Sequence, residues 1–231
     1  MPAFGGISPD LPQVLNTLRE YFKGQPFELH GLYKETLERF KTYLPELTDF
    51  VPDRDNWDYV YDREKLATLA GRKYHGKKNH ANAFFKENPN YVYEPITAAN
   101  VAECIAFGDK WCERRAETDA TIECEFCAIK QALNNMDVLG IKGGLIRLNG
   151  QVEAFSFGEK INPQTAVVHV EKANPNIRGL YTVINMLFAQ NVFPEIPYLN
   201  REEDMGKEGL RTAKESYHPE FMVEKYNTTV K

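Results

Sequence analysis

The pattern of apolar and polar positions divides the chain into alternating helical and extended segments. In "SPDLPQVLNTLREYFKGQ", Leu11, Val14, Leu15, Leu18 and Phe22 recur at helical spacing, with Ser8 and Asp10 as capping candidates and Gly24 as the stop. "PFELHGL" reads as a short strand and "YKETLERFKTYL" as a second helix stopped by Pro45. "DNWDYVYD" alternates as a strand does. "REKLATLAGRKYHGKKNHANAFFKEN" is helical in character, with breaks around Gly71 and Gly76. A boundary falls near Pro89, because a different order of elements begins there.

From residue 91 the predicted order is strand, two helices, three strands, helix, strand, helix, strand. "YVYEPIT" is the first strand, and "ANVAECIAFGDKWCERR" and "TDATIECEFCAIKQALNNM" are the two helices. Runs at 142–148 and 151–160 flank Asn149 and Gly150, a pair that suits a tight hairpin turn because both residues tolerate positive φ. The β-branched run "TAVVHVEKA" predicts a buried central strand. In "NPNIRGLYTVINMLFAQNV", Ile177, Leu180, Tyr181, Ile184, Leu187 and Phe188 share one helical face. "EIPYLNRE" follows as a strand, "GKEGLRTAKESY" as a helix and "EFMVEKYNTTV" as the last strand. The expectation is an α+β protein with two parts, a smaller α/β layer over residues 1–90 and a mixed central sheet flanked by helices over 91–231.

Composition narrows the class. With 42% hydrophobic and 26% charged residues in 231, the chain is an ordinary globular sequence rather than a disordered or repetitive one. No stretch approaches the ~18–20 apolar residues of a membrane helix, and "MPAFGGISPD" lacks the basic then apolar pattern of a signal peptide. A cytoplasmic setting is expected. Cys104, Cys112, Cys124 and Cys127 lie in helical segments. Cys124 and Cys127 form a C-x-x-C, but it sits inside a running helix, and the histidines at 30, 75, 80, 169 and 218 are scattered. Small buried thiols on one helix face are expected, and no metal.

The element order of the second half, a hairpin feeding a central strand followed by helix, strand, helix and strand, resembles the GNAT acyltransferase fold. "KKNHANAF", "EKANPNIRGLYTVIN" and "YLNREEDMGKEGLRTAKESYHP" are similar to the family of the phosphatidylglycerol lysyltransferase C-terminal domain, whose members use one or two GNAT-like units. The resemblance covers roughly residues 10–231. It implies transfer of an acyl group, often an aminoacyl group from a charged tRNA, to an amine or hydroxyl acceptor. It also implies that the front half is a partial GNAT-like unit with fewer strands than its relatives, leaving an open edge for a helix or another subunit to cover.

The resemblance and the residues together nominate site positions. GNAT enzymes that use coenzyme A carry a glycine-rich turn before the helix after the central strand; here Arg178 and Gly179 are followed by bulky Leu180 and Tyr181. The helix start still offers unpaired N–H groups to an anion, while the alternative role of Gly179 is close packing. Glu171 closes the central strand, where an acid can accept the proton of an attacking amine, with Lys172 on the opposite face. Ala213 and Tyr217 match the spacing of a GNAT final helix whose tyrosine protonates the leaving group, although Leu210 stands where an asparagine is common. Arg211 and Lys214 share a helix face and can meet a phosphate or carboxylate, or be balanced by Glu208 and Glu215.

"AGRKYHGKKNHANAF" concentrates Arg72, Lys73, Lys77 and Lys78 around Tyr74, His75 and His80 in a chain of net charge −5. Such a knot suits a local polyanion: a tRNA acceptor end, a phosphate-bearing small molecule or a lipid head group. The alternative is a solvated basic helix. Three functions stay open on sequence: an aminoacyl-transferring enzyme fed by aminoacyl-tRNA, a coenzyme A dependent N-acyltransferase, and a binding module that keeps the fold without catalysis.

Overall fold

The computed structural model describes residues 11–43, 47–116 and 122–230, with side chains omitted at 114–125. Ser8, Asp10, Pro45 and the Cys124 side chain lie outside the described part. The chain forms two compact units, one from residues 1–59, 203–214 and 221–231, the other from 60–202 and 215–220.

The first unit holds α1 (Leu11–Tyr21), β1 (Phe27–Tyr33), α2 (Lys34–Tyr43) and β2 (Val51–Pro52), with most of α9 (Glu208–Glu215), then β9 (Phe221–Val223) and β10 (Lys225–Val230). The run expected as one final strand is thus two, separated at Glu224. Antiparallel β10 lies between β1 and β2, so the chain's first and last strands are neighbours. The amphipathic spacing of α1 puts Leu11 and Leu15 into a core with Phe27, Leu32, Leu37, Phe40, Leu47 and Val230.

The second unit holds the sheet that positions the site. Its elements are α3 (Arg63–Thr68), α4 (His75–Glu87), β4 (Val92–Pro95), α5 (Val101–Ala116), α6 (Ile122–Asn134), α7 (Met136–Leu139), β5 (Lys142–Leu148), β6 (Gln151–Asn162), β7 (Thr165–Ala173), α8 (Leu180–Asn191) and β8 (Tyr198–Asn200). β3 (Asp58–Asp62) spans the two units. The strands run in the order β4-β5-β6-β7-β8-β3; β4 to β7 are antiparallel neighbours and β7 pairs with β8 in parallel, so the sheet is mixed and "TAVVHVEKA" is interior, as its composition predicts. Asn149 (φ 50°) and Gly150 (φ 80°) turn the β5–β6 hairpin. Of the two expected helix breaks, Gly71 (φ 97°) interrupts α3 from α4, whereas Gly76 sits within α4. Gly76 is the second residue of α4, in its first turn, where glycine costs no more than the roughly 1 kcal/mol of a helix interior.

Each sheet face has its own cover. Leu145, Phe155, Phe157 and Val170 meet Cys104, Phe126, Ile129 and Leu133 of α5 and α6. The other face packs under α8, which is buried nearly all round from Leu180 to Ala189. Cys104 is buried and Cys112 half-buried, but Cys127 is exposed, which corrects the expectation of buried thiols on one face.

Two irregularities shape the middle of the sheet. Between the pairs Phe157↔Val170 and Gly158↔Val168, β7 contains the extra residue His169, a bulge. β7 and β8 pair only from Thr165↔Tyr198 to Val167↔Asn200, so the two strands part beyond that point. A methyl group at Gly158 would overlap the Val167 carbonyl oxygen, which explains a glycine in a buried strand. Gly158→Ala is therefore expected to cost about 2–4 kcal/mol, comparable to severe overpacking, measured by urea unfolding.

Candidate functional site

The parting of β7 and β8 is bridged by an ion pair. Glu171, near the end of β7, receives Arg201 Nη2 at 3.0 Å on one carboxylate oxygen and Asn185 Nδ2 at 3.0 Å on the other. The side chains of Glu171 and Arg201 are 14% and 12% exposed, so the pair lies largely out of water. Asn185 and Thr182, both buried, project from α8 one turn apart. Tyr217 completes the cluster: its ring is 6% exposed, lies 4.9 Å from the Arg201 guanidinium and 4.0 Å from Lys77 Nζ, and its hydroxyl stands 3.4 Å from Thr182 Oγ1.

Tyr217 reaches this place from outside the helix expected to carry it. α9 ends at Glu215, and residues 215–220 form a separate loop of the second unit. Glu220 fixes that loop through Lys65 Nζ (2.6 Å) and through its N–H to the Val60 carbonyl (2.7 Å). His218 contributes as well, with Nε2 3.1 Å from the Lys73 carbonyl and its ring edge-on to Tyr74 at 5.5 Å. Tyr74 is thereby buried against His218 and is not offered to a nucleic-acid base.

The electrostatics are those of two cations around one carboxylate. Burial works against the Arg201 cation, but Glu171 with Tyr61 and Tyr217 outweighs it and holds its pKa above the ordinary value. Lys77 goes the other way, lowered first by burial and then by Arg201, with Glu171 opposing. Burial raises the Tyr217 phenol, with Arg201 pulling against it, so the hydroxyl keeps its proton at neutral pH.

A second bridge crosses the same parting. At the bulge, His169 Nδ1 is 2.9 Å from Glu202 Oε1 and Nε2 is 3.1 Å from Glu159 Oε1 on β6. The Glu202 bond chiefly raises the His169 pKa, against the effect of burial.

The nominated residues thus separate. Glu171, Tyr217 and Lys77 come together. Arg72, Lys73, His75, Lys78 and His80 are exposed on the turn and helix that carry Lys77. Lys172 points away, its ammonium 4.1 Å over the Trp111 ring. Gly179 (φ 80°) precedes α8, and a methyl group there would overlap the His80 carbonyl of α4, so the glycine serves close helix packing; Arg178 is exposed, 3.9 Å from Glu87. Arg211 and Lys214 belong to the first unit: Arg211 binds Asp204 (2.9 Å) and Asp55 (2.6 Å), and buried Lys214 donates to the Glu203 carbonyl. Arg211 Nε and Nη2 and the Lys214 ammonium thus bond within the protein.

Sequence reading missed Arg201, Asn185, Thr182 and the His169 bridge. A usable signal for two of them was present, since Thr182 and Asn185 are polar positions three apart in the apolar helix "LYTVINMLFA".

A mixed sheet whose adjoining parallel strands part at a bulge, covered on both faces by helices, defines the GNAT-like fold. At the level of fold alone it is shared with the tandem GNAT protein from the clavulanic acid biosynthesis pathway (TM-score 0.51, 10% identity, 99% of this chain and 70% of that one). The chain belongs to the family described as phosphatidylglycerol lysyltransferase, C-terminal, which matches residues 2–229. It is similar to a conserved protein of unknown function from Bacteroides thetaiotaomicron VPI-5482 (40% identity, TM-score 0.89, 96% of this chain and 76% of that one). In fold it is similar to the L-PGS from Bacillus licheniformis (13% identity, TM-score 0.63, 96% and 74%). An uncharacterised protein of Mycoplasmoides gallisepticum is 22% identical over 175 residues, 73% of this chain, and the chain spans 54% of that relative's length. Family and fold point to a GNAT-like acyl or aminoacyl transferase. Among the described residues no helix is long and apolar enough to cross a membrane.

Removing one partner of a buried ion pair leaves the other charge uncompensated. Arg201→Met is expected to lower stability by about 3–5 kcal/mol in urea unfolding. Exposed Lys78→Ala is expected to change it by under ~0.5 kcal/mol.

Proposed function

We propose that this protein transfers an aminoacyl group from aminoacyl-tRNA to an amine or hydroxyl on a lipid or small-molecule acceptor. The observation that carries the proposal is the meeting of Glu171 and Tyr217 at the parting of β7 and β8, with Lys77 beside them. The acceptor attacks the ester carbonyl, forming the new C–N or C–O bond. Glu171 accepts the acceptor's proton, the ester C–O bond breaks, and the Tyr217 hydroxyl protonates the departing oxygen. The bulge at His169 takes a residue out of the β6–β7 ladder beside this point, which suits a backbone N–H directed at the oxyanion. Lys77, half-buried and with no carboxylate partner among the described residues, suits a phosphate of the donor or acceptor. Packing of α4 against Gly179 favours a donor other than coenzyme A, whose pyrophosphate would need that helix start.

The test is transfer of labelled aminoacyl groups from tRNA to vesicles containing an anionic glycerophospholipid, run beside labelled acetyl-coenzyme A. Tyr217→Phe is expected to lower turnover by ~10²–10⁴, the usual contribution of a general acid. It should cost under about 1 kcal/mol of stability, because the hydroxyl's bond to Thr182 is long. Unchanged turnover in that variant would exclude Tyr217 as the acid. If Lys77 meets a phosphate, Lys77→Ala should weaken binding and flatten its salt dependence.

A further inference from the structure

The imidazole of the bulge residue His169 is used by none of the steps above, yet both of its ring nitrogens are held. Its two ring nitrogens face carboxylates on two different segments: Glu159 on β6 at 3.1 Å, and Glu202, immediately after Arg201, at 2.9 Å. These are the charged groups that face it; Glu171 stands two residues further along its own strand. Glu202 is in the left-handed region (φ 57°), its N–H bonded to Asn200 Oδ1 at 2.7 Å. That turn sends two successive side chains, Arg201 and Glu202, back across the parting to two positions of β7, Glu171 and His169. A left-handed glutamate is strained and persists only where its surroundings hold it. The hold on Glu202 is therefore also a hold on the backbone that carries Arg201.

We propose that His169 is a positioning residue: by gripping Glu202 it fixes Arg201, and through Arg201 the orientation of Glu171 and Tyr217. Its consequence for turnover rests on the reading of that cluster as the reactive centre, but the grip itself does not. Protonated His169 donates from both nitrogens to the two carboxylates, whereas the neutral ring can donate from only one. With the folded pKa raised, the grip is fully present below the ordinary histidine range and is lost as pH rises through the folded value.

Hydrogen exchange on the full chain tests this without any substrate. Protection factors for 198–202 and 168–172, corrected for the intrinsic pH dependence of exchange, are measured between about pH 6 and pH 9, a range that brackets ordinary histidine titration. Protection in both segments should fall by about ten-fold or more as pH rises, the size expected when a hydrogen bond to a charged group is lost. His169→Gln, which keeps a neutral donor, should show the low protection at every pH, and Glu202→Gln should remove most of the pH dependence. The histidine titration itself, followed by NMR, should coincide with the loss of protection. Flat protection in the unmodified protein overturns the proposal even if the variants fail to fold, and so does a pH profile in His169→Gln like that of the parent. Coincident titration and loosening with no effect of His169→Gln on the transfer assay would keep the grip and instead count against the reactive centre.

Discussion

Everything at the centre of the second unit depends on one ion pair made where the sheet stops being a sheet. Beyond Val167 and Asn200 the β7 and β8 backbones no longer bond to each other, and Glu171 and Arg201 span the space between them. Taking a carboxylate and a guanidinium out of water costs several kcal/mol each, so neither would be tolerated there alone. Together they fix each other, and the planar fork of Arg201 lies beside the Tyr61 and Tyr217 rings. The parallel strands are held at a set width at their open end, which a continued ladder would have closed.

The position of that opening follows from small-scale geometry. The extra residue at 169 shifts the alternation of β7, so Val170 faces α5 and α6 while Glu171, opposite Ser156, faces α8. Without the bulge both residues would switch faces, and the Glu171 carboxylate would enter the apolar core. Asn185 meets Glu171 because it occupies the face of α8 turned toward the sheet. A buried asparagine there would be costly in a helix that only packed; here its amide nitrogen bonds to Glu171 at 3.0 Å.

Elements legible in the sequence were those set by local periodicity or turn chemistry: the Asn149-Gly150 hairpin, the interior strand, and α1, α2, α5, α6 and α8. Glu171 and Tyr217 were nominated through the resemblance to GNAT enzymes, at a strand end and at a recurring spacing, and the fold brings both beside Arg201. Arg201 was not, since nothing local separates it from the neighbouring charges in "NREED"; its role exists only once β8 lies beside β7. The same holds for the pairing of β1 with β10, a contact between opposite ends of the chain. Tyr217 was expected on a helix because the spacing from Ala213 is one helical turn, but α9 stops at Glu215 and a loop held by Glu220 and His218 delivers the ring instead.

The basic knot shows how one compositional signal can contain two different kinds of residue. Along α4 and the turn before it, side chains facing away from the unit remain in water, where a lysine's charge costs nothing and contributes little. Lys77 is placed by the same helical period to lean over Tyr217, with its pKa lowered by burial and then by Arg201. Its attraction to the ring offsets part of that cost, as a cation over an aromatic face does. Glu171 offsets a further part, but it is shared with Arg201, so any anion that joined this place would act on the local charge balance rather than on the number of basic residues nearby. Exposed cations attract polyanions at a distance and in a salt-dependent way, whereas a half-buried one discriminates by geometry. The net charge of −5 therefore says little about Lys77, whose surroundings are set by Tyr217, Arg201 and Glu171 rather than by the chain's overall balance.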